Sequence, residues 1–382
     1  MSYDAPYRGI KVVDLSQGIA GPYCAMLLAQ YGADVIKVEP PEGDWARRLG
    51  QAYGDHTAFS VAGNLGKRSV ALDLKSAGEK QRLWDLLKDA DIFLEGFRPG
   101  VIDRLGFGYE AVAAVNPRIL YMSISGFGQT GPLREKPAMD PILQAFSGMM
   151  MATLEKDGEP VRMGPIVVDM STALYGFQAV SPALFARQGQ DKGRFIDISL
   201  MQGAANLQVV RMMQVNLLGQ QPTSASAPNG AFKCRDGYLL LVAMRDEEFQ
   251  TVAEVLELPD MAADPRLQNR LDRMAHIEEI NRLVAARLAE KPATHWNALL
   301  TARGIQNEQV LDYPDFLKHP QVEATGLISW LDQPGLPHPV PVPNPPGAPK
   351  LSPNGTNAKA PKTGEHTEAV LTALAAGDPW RD

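Results

Sequence analysis

The order of apolar and polar positions divides the first half of the chain into short strands and amphipathic helices. From Gly9 to about Leu200, runs of β-branched and other apolar residues alternate with runs of helical period. This alternation is typical of a largely parallel sheet packed between helices, so it predicts an α/β fold. The predicted strands are Ile10–Leu15, Val35–Glu39, Ser69–Leu74, Asp91–Glu95 and Arg118–Ser125, and the predicted helices are Pro22–Tyr31, Glu79–Lys88 and Asp169 to about Arg187.

The pattern changes after Ser199, where a second apolar helix is predicted to run to about Leu218. Residues 1–218 are therefore interpreted as a large domain, and the polar, small-residue stretch 219–230 as a linker. Residues 231–325 are interpreted as a smaller domain, because charged helical runs separated by prolines dominate there. Its predicted helices include Glu247–Leu256 and His276–Leu288.

The last part of the chain combines an extended stretch with a further helix. Pro334–Pro349 holds eight prolines, which lack a backbone N–H and favour an extended, solvent-exposed connector. Gly364–Leu374 regains a capping signal and apolar spacing. We therefore expect the tail to pack rather than fray.

Composition and charge exclude several classes of partner. Among 382 residues, 37 Lys and Arg face 44 Asp and Glu, a net charge of −7. No basic surplus is available to hold a phosphate backbone or anionic lipid, so neither nucleic acid nor a membrane is an expected partner. Asp4 and Arg8 stand where a signal peptide would be apolar, and Cys24 and Cys234 are too few for a disulfide framework. We expect a cytoplasmic protein.

One nucleotide-binding motif occurs in an unsuitable context. Gly126–Gly131 has the GxGxxG spacing and follows a predicted strand. That fingerprint binds pyrophosphate at a helix amino terminus, whereas Pro132 and Pro137 follow here with charged residues between them. We predict a loop and expect no nicotinamide or flavin. The six histidines are scattered and HExxH is absent, so a metal site is not expected either.

Asp169 stands out because its surroundings are apolar. Met163–Val168 precedes it, and the helix that it opens carries no further charge until Arg187. One interpretation is an N-cap, a position that aspartate favours. The other is a partly desolvated nucleophile, because a carboxylate at a positive helix end can attack an activated acyl carbon. The two roles are compatible.

Several cations adjoin the predicted strand ends. Lys67 and Arg68 precede one strand, Lys75 follows it, and Arg98 and Arg104 follow the next. Because the carboxyl ends of parallel strands meet at one edge of a sheet, these side chains could hold the phosphates of a nucleotide thioester there. The alternative is a set of ordinary solvated loop cations.

A series of short motifs extends over almost the whole chain in a specific order and spacing. The motifs are Val13–Leu15, Ala20–Pro22, Gly32–Pro40, Asn64, Lys67–Ser69, Leu72–Lys75, Ala90–Phe97, Pro99–Gly100, Leu105–Tyr109, Asn116–Arg118, Ser125–Gly128, Gln144–Gly148, Gly193, Asp197–Leu200, Gly304–Ile305, His319–Pro320 and Gly364–Thr367. In that order they resemble the class III CoA-transferases, the family that includes formyl-CoA:oxalate and carnitine CoA-transferases and the 2-methylacyl-CoA racemases.

The resemblance implies a fold and an assembly. It implies a large Rossmann-like domain built from both chain ends, with residues 326–382 as a proline-rich connector that returns to it, and a smaller, mostly helical α/β domain. Members of the family form interlocked dimers in which each subunit is a ring threaded through the other. A homodimer of this kind is therefore expected.

The resemblance also implies a reaction and its site. Asp169 stands at the position of the family's catalytic aspartate, and coenzyme A would pass from an acyl-CoA to a carboxylic acid through covalent aspartyl intermediates. Coenzyme A is part of the substrate, and no metal or tightly bound cofactor is expected. The CoA-binding loops map onto Ile19, Ala20, Pro40, Leu72, Asp73, Leu74, Lys75, Gly96, Phe97, Arg98, Arg104 and the segment from Pro137 to Asp140.

Departures from the family pattern limit the implied activities. Formyl-CoA transferase has glutamine at the position of Ile19 and asparagine at that of Gly96, so oxalate transfer is not expected here. The racemases have histidine before the aspartate at 140, where this chain has Met139, so a proton-transfer base is missing. A racemase or epimerase, or a protein that only binds acyl-CoA, remains as an alternative.

Three further residues are candidates for substrate contact. Asp140 could orient a partner or the acceptor, or could be a structural loop carboxylate. Arg134 and Arg162 could bind a second substrate carboxylate, or could be surface cations. By analogy with the family, a dicarboxylic acid such as succinate is the expected donor or acceptor.

Overall fold

A computed structural model of the chain describes residues 4–152, 158–221 and 225–380. The chain divides into two compact units, one of residues 1–210 and 323–382 and the other of residues 211–322. This division falls before the predicted boundary at Leu218, because the helix that carries Leu218 belongs mostly to the second unit. Residues 222–224 of the predicted linker lie outside the described residues.

The first part of the chain alternates strands with helices, which confirms the α/β prediction. All five predicted strands are present, and Arg194–Ser199 adds a sixth that was not predicted. The strands are β1 (Lys11–Asp14), β2 (Asp34–Glu39), β3 (Arg68–Ala71), β4 (Ile92–Glu95), β5 (Leu120–Ser125) and β6 (Arg194–Ser199). The helices are α1 (Ala20–Gln30), α2 (Ala58–Asn64), α3 (Ala77–Leu87), α4 (Val101–Leu105), α5 (Tyr109–Val115), α6 (Asp140–Phe146), α7 (Met149–Ala152), α8 (Val167–Arg187), α9 (Leu200–Leu207) and α10 (Val209–Leu218), with a short 3-10 helix at Trp45–Arg48.

These six strands form one parallel sheet in the order β3-β2-β1-β4-β5-β6. This is the strand order of the doubly wound, Rossmann-like fold. The chain reverses its direction of winding between β1 and β4. In such sheets a crevice opens at the carboxyl ends of the two strands that flank the reversal.

Alternate residues of each strand enter two different cores, because successive side chains point to opposite faces of a sheet. On one face, Val12 and Ile92 pack against α1 and α8. On the other face, Val13 and Phe93 pack against α3, α5 and the C-terminal helix, to which Val370 belongs. Helices therefore cover both faces of the sheet, as a parallel sheet requires.

The apolar helix predicted from Ser199 to Leu218 is in fact two helices, α9 and α10. They break at Gln208, whose φ of −107° lies outside the helical range. Its side-chain amide donates to the backbone oxygen of Ser147, to Ser147 Oγ and to the backbone oxygen of Ala204, at 3.4, 3.0 and 3.1 Å. None of the described helices combines the length and apolarity that crossing a bilayer requires.

The second unit packs helices against a small antiparallel sheet of order β7-β8-β9. Trp296, Phe249 and Leu239 lie in its core. Its first strand begins at Asn229, so the last two residues of the predicted linker belong to the sheet. The elements are β7 (Asn229–Lys233), β8 (Tyr238–Val242), α11 (Asp246–Val255), α12 (Pro259–Ala263), α13 (Arg270–Ala275), α14 (Ile277–Leu288), α15 (Ala293–Ala302), β9 (Gln306–Gln309), α16 (Tyr313–Leu317) and α17 (Pro320–Thr325), with a 3-10 helix at Pro265–Leu267.

The C-terminal part of the first unit contains β10 (Ile328–Leu331), β11 (Val340–Pro343), a 3-10 helix at Thr356–Ala358 and α18 (Thr367–Ala375). Most of the proline-rich stretch is exposed, as predicted, but part of it also forms a strand, which was not predicted. β11 pairs with β10, and Val340 and Val342 pack against a core that includes Leu331 and Met26. Proline is tolerated there because this small sheet has only edge strands.

Candidate active site

A cavity of about 630 Å³ opens at the carboxyl edge of the parallel sheet, where the winding reverses between β1 and β4. Its walls come from the segments that follow β1, β4 and β5 and from the start of α8. Ten of the residues predicted for the site lie in these walls. They are Ile19, Ala20, Gly96, Phe97, Arg98, Arg134, Pro137, Ala138, Met139 and Asp169.

The other predicted residues lie outside the walls of this cavity. Leu72 is buried in the core on one face of the sheet, and Arg104 is exposed on α4. Asp140 is buried behind Asp169, as described below, and Arg162 is exposed. The remaining ones, Pro40, Asp73, Leu74 and Lys75, follow β2 and β3 at the same edge of the sheet.

Asp169 is the third residue of α8, and Ile166 occupies the N-cap position. The interpretation of Asp169 as the N-cap is therefore wrong. Its partly buried carboxylate lines the cavity. Within the described ranges, no group donates a hydrogen bond to that carboxylate, so its oxygens are available to a ligand.

Asp140, at the start of α6, supplies the cap instead. Its Oδ2 accepts hydrogen bonds from the backbone N–H groups of Val168 at 2.7 Å and Asp169 at 3.1 Å. An acid from another helix thus satisfies amides that every helix start leaves free. The Asp140 side chain is buried. These hydrogen bonds give its carboxylate and the two backbone N–H groups the partners that each of them would otherwise lack.

Gln144 fixes the approach to α8 from the same helix as Asp140. Its amide nitrogen donates to Asp140 Oδ1 at 2.6 Å, and its amide oxygen accepts the backbone N–H of Met163 at 2.9 Å. One fully buried side chain therefore holds both the capping acid and the segment that leads to Asp169.

The electrostatic environment of Asp169 raises its pKa to about 7. Burial is the main cause, because it disfavours the charged form, and the nearby Asp140 carboxylate adds to the effect. At neutral pH the ionised and protonated forms are therefore both populated. A carboxylate of this kind is a stronger base and nucleophile than an ordinary aspartate.

Apart from Asp169, the charged residues that line the cavity, among those described, are cations. Arg98, Arg134 and Lys136 line the cavity, and among the described residues Asp169 is the only acid in its walls. Lys136 Nζ lies 5.7 Å from the centre of the Phe127 ring, and Arg134 pairs with its exposed neighbour Glu135. The cavity is therefore suited to anionic ligands.

The loop between β1 and α1 rests on a network of buried charges. Lys67 Nζ donates to Asp14 Oδ2 at 2.6 Å, and Lys37 Nζ donates to Asp44 Oδ2 at 2.9 Å. Asp44 also accepts the backbone N–H of Gly18 at 2.9 Å. These four charged side chains are almost completely buried, so each charge has a partner where an unpaired one would be costly.

A second ion pair extends this network towards β3. Arg47 donates to both carboxylate oxygens of Glu39, at 2.8 and 2.7 Å, and Ser69 Oγ donates to the same carboxylate at 2.6 Å. Burial alone would raise the pKa of Glu39, but the hydrogen bonds and charge of Arg47 outweigh it and the pKa lies below its usual value.

Trp45 covers one side of the cavity and packs directly on Gly18. The backbone of Gly18 has φ +84°, and a Cβ atom there would lie 2.3 Å from the Trp45 ring. Only glycine fits this position, both for conformation and for space. Trp45, Asp44 and Gln144 were not among the predicted site residues, because their roles depend on contacts between distant segments.

The GxGxxG segment is a loop, as predicted. It continues through turns to Asp140, where α6 begins, so it does not place glycines at a helix start. Over the described parts of the chain, no cluster of His, Cys, Asp or Glu has the arrangement of a metal site.

Comparison with known proteins places the whole chain in one family. The sequence model of CoA-transferase family III matches residues 7–367. An acetyl-CoA:oxalate CoA-transferase of Acetobacter aceti is 36% identical over 331 residues, which cover 85% of each chain. A succinyl-CoA:glutarate CoA-transferase of Mus musculus is 32% identical over 341 residues, which cover 86% of this chain and 77% of that protein.

Solved structures agree with the sequence comparison. A CaiB/BaiF family protein of Brucella suis superposes with a TM-score of 0.85 at 30% identity, over 97% of this chain and all of that one. The Rv3272 protein of Mycobacterium tuberculosis superposes with a TM-score of 0.84 at 27% identity, over 96% of this chain and 99% of that one. The chain therefore belongs to CoA-transferase family III and is a CoA-transferase.

Proposed function

We propose that the protein transfers coenzyme A from an acyl-CoA donor to a dicarboxylic acid, with Asp169 as the covalent carrier. The observation that carries the proposal is the placement of Asp169. It is an acid without a hydrogen-bond donor among the described residues, with a pKa raised to about 7, in a cavity whose other charged lining residues, within the described ranges, are cations. An ion-paired structural acid would show the opposite properties.

The first half of the reaction loads the aspartate. The Asp169 carboxylate attacks the thioester carbonyl of the donor, the carbon–sulfur bond breaks, and CoA leaves as a thiolate. The product is a mixed anhydride between Asp169 and the donor acid. The thiolate then attacks the aspartyl carbonyl, which releases the donor carboxylate and leaves an aspartyl-CoA thioester.

The second half repeats these steps in reverse order with the acceptor. The acceptor carboxylate attacks the aspartyl thioester and displaces the CoA thiolate, forming a second anhydride. The thiolate attacks the acceptor's acyl carbon, so that acyl-CoA forms and the Asp169 carboxylate is regenerated. No oxidation state changes, and every bond that breaks is matched by one that forms.

Several predicted residues are suited to binding the CoA moiety. Ile19, Ala20 and the loop Gly96–Arg98 lie in the cavity walls, next to the proposed nucleophile. Lys75 and Arg104 are exposed beyond the walls, where point-charge and forked cations would suit the distal phosphates of so long a molecule. We retain Pro40 and Leu72–Leu74 as part of the same proposed surface.

The proposed acceptor class follows from cavity charge and from the relatives. Relatives are named for transfer to oxalate, glutarate and mesaconate, which are all dicarboxylic acids. Within the described residues the cavity walls offer Arg98, Arg134 and Lys136 against one acid. A second substrate carboxylate would find a cationic partner there, and Arg134 is our preferred candidate because it lines the cavity and its side chain is exposed.

We further propose the interlocked homodimer that the family resemblance implies. Large apolar side chains on α8 to α10 are exposed in the single chain, including Phe185 at 76%, Val210 at 66% and Leu217 at 85%. Apolar residues exposed to this degree on neighbouring elements usually mark a protein interface. Light scattering coupled to gel filtration would give the mass of a dimer; the mass of one chain would contradict this part of the proposal.

A substrate panel tests the proposed reaction. Succinyl-CoA and acetyl-CoA are incubated with glutarate, succinate, mesaconate or oxalate, and valerate serves as the monocarboxylic match for glutarate. Mass spectrometry of the acyl-CoA pool should show CoA on glutarate, succinate or mesaconate and far less on valerate, and oxalate tests the expectation that it is not an acceptor. An unchanged pool, or deuterium uptake from D₂O at the α-carbon of a branched acyl-CoA without transfer, would contradict it.

A further inference from the structure

A buried glutamate lies behind the cavity, between the two loops that form much of its wall. We infer that Glu95 positions these loops, Gly96–Pro99 and Gly126–Met139, and thereby sets the affinity for acyl-CoA. The inference rests on the proposed function, because it assumes that acyl-CoA binds in this cavity. Glu95 is not in the cavity wall, so it acts through the loops and not on the substrate.

Glu95 holds the first loop directly. It is the last residue of β4, its side chain is buried, and its Oε2 accepts the backbone N–H of Phe97 at 2.8 Å. Phe97 and its neighbours Gly96, Arg98 and Pro99 line the cavity. The hydrogen bond therefore fixes the turn that presents this part of the wall.

Ser123 carries the connection to the second loop. It pairs with Glu95 in the sheet, and its hydroxyl favours the ionised form of the Glu95 carboxyl group. Ser123 Oγ accepts the side-chain amide of Gln129 at 2.8 Å, and the backbone N–H of Gln129 donates to Asp197 Oδ2 at 3.2 Å. The pairing of Glu95 with Ser123 therefore places Glu95 beside a side chain that holds the second loop.

Gln129 lies in the middle of the loop that runs from β5 to α6. Gly126 and Lys136–Met139 of that loop are cavity wall. Sheet pairing between Glu95 and Ser123, together with the hydrogen bonds of Phe97 and Gln129, thus connects the ends of β4, β5 and β6 to both loops. Replacing Glu95 should therefore loosen both loops at once. Loss of a single contact within the cavity wall would affect only one of them.

Among the described residues, the titratable groups that act on Glu95 or respond to it are two acids and a phenol. Asp103 on α4 and Asp197 on β6 disfavour its ionisation, and Tyr121 on β5 has its own pKa raised in part by Glu95. Burial, the largest cause, and these acids raise the pKa of Glu95 to about 7, although the bonds from Ser123 and Phe97 oppose the shift. The protonated and ionised forms therefore coexist near neutral pH.

Glutamine is the matched substitution, because it has the shape of a protonated glutamic acid and keeps both an acceptor and a donor. Glu95→Gln should hold the loops as the protonated acid does, and it cannot ionise. Glu95→Ala removes the connection at every pH. In the natural protein, rising pH ionises Glu95. The new negative charge lies near Asp197 and close to the cavity proposed to bind the anionic coenzyme A, so the affinity for coenzyme A should decrease.

The experiment measures the dissociation constant of free coenzyme A by calorimetry at about pH 6 and about pH 8, on either side of the Glu95 pKa. All proteins carry Asp169→Asn, so that titration of Asp169 does not contribute. The parent should bind coenzyme A several-fold more weakly at the higher pH, whereas the affinity of Glu95→Gln should fall by a smaller factor between the two pH values. Titration of the CoA phosphates is common to both proteins, so the ratio isolates Glu95.

Glu95→Ala should raise the dissociation constant about tenfold at both pH values, equivalent to one pKa unit of interaction energy. In the active enzyme it should raise the KM for acyl-CoA while kcat changes by less than about twofold. Unchanged affinity in Glu95→Ala, or the same pH dependence in parent and Glu95→Gln, would overturn the inference. If Glu95→Ala does not fold, Ser123→Ala replaces it with the same expected direction, and an unchanged affinity there would also overturn the inference.

The two proposals fail in different ways. If the Asp169→Asn parent with Glu95 intact binds no coenzyme A at either pH, the proposed function fails. If it binds coenzyme A normally and the Glu95 and Ser123 variants match it, only the positioning role fails.

Discussion

The two halves of the sheet's carboxyl edge both hold acidic side chains out of solvent, but they pair them differently. At the ends of β1 and β2, the buried Asp14 is paired with Lys67 and the buried Glu39 with Arg47. At the end of β4 and the start of α8, the buried Glu95 and the partly buried Asp169 have no ion-pair partner within the parts of the chain that the structure describes. The ion pairs of the first half stabilise the loops around the cavity. The second half contains the two acids that we propose act on substrate binding and on the reaction.

The pKa values follow this division. Burial tends to raise the pKa of all four acids, but Lys67 and Arg47 reverse the effect for Asp14 and Glu39. Without a cation, burial raises the pKa of both Glu95 and Asp169 to about 7. Burial alone therefore does not indicate a functional acid. Burial without a cationic partner, which raises the pKa, is the feature that points to one.

The largest expected effect comes from removing the unpaired acid at the cavity. Asp169→Asn keeps the shape of the side chain but cannot form the anhydride, so transferase turnover should fall about 10³-fold or more. Unfolding free energy and coenzyme A affinity should stay close to those of the natural protein. Steady-state assays with denaturant unfolding as the control test this, and near-normal turnover would reduce Asp169 to a structural residue.

Breaking a pair in the supporting half should damage stability instead. Lys67→Met leaves the fully buried Asp14 without its nearest cation, which should lower the free energy of unfolding by about 3 to 5 kcal/mol. The double variant Asp14→Asn with Lys67→Met removes both charges and should recover part of that loss. Urea denaturation measures both, and equal stability of the single and double variants would show that the pair is not the cause.

A smaller effect is expected from the acid that caps α8. Asp140→Asn removes the negative charge that helps to raise the pKa of Asp169, so that pKa should fall. Because the proposed reaction needs the Asp169 carboxylate, activity of the natural protein should rise as pH increases through about 7. In Asp140→Asn this rise should shift to lower pH by less than about one unit.

The pH profile of kcat/KM measures the shift, and Gln81→Glu, on the exposed surface of α3, serves as a control for a general change in charge. A rise that stays at its original pH in Asp140→Asn would show that the Asp140 charge does not act on Asp169. A rise that moves to higher pH would contradict the sign of the interaction.

The strands could be predicted because their alternation is local. Val12 and Val13 enter different cores, and the same pattern identifies β1, β4 and β5 from the sequence alone. Asp169 could be identified in the same way, because it is an isolated charge in an apolar stretch. The family resemblance then supplied the loops at the cavity wall, of which Ile19, Ala20 and Gly96–Arg98 lie together.

The pairing of charges could not be predicted, because it is decided by distant segments. Val38–Glu39 and Leu94–Glu95 are nearly the same sequence at equivalent strand ends, yet Arg47 reaches only the first glutamate. The cap of α8 is likewise distant, since Asp140 and Asp169 are 29 positions apart. Sequence alone left Asp140 as either a catalytic or a structural acid.

The most direct test of the account is chemical trapping of the loaded aspartate. Hydroxylamine added to the protein with donor acyl-CoA should convert the Asp169 side chain to a hydroxamate, which peptide mass spectrometry would locate, and omission of the donor should abolish the label. Asp169→Asn and denatured protein are the controls. An unmodified Asp169 peptide during active turnover would contradict the covalent mechanism.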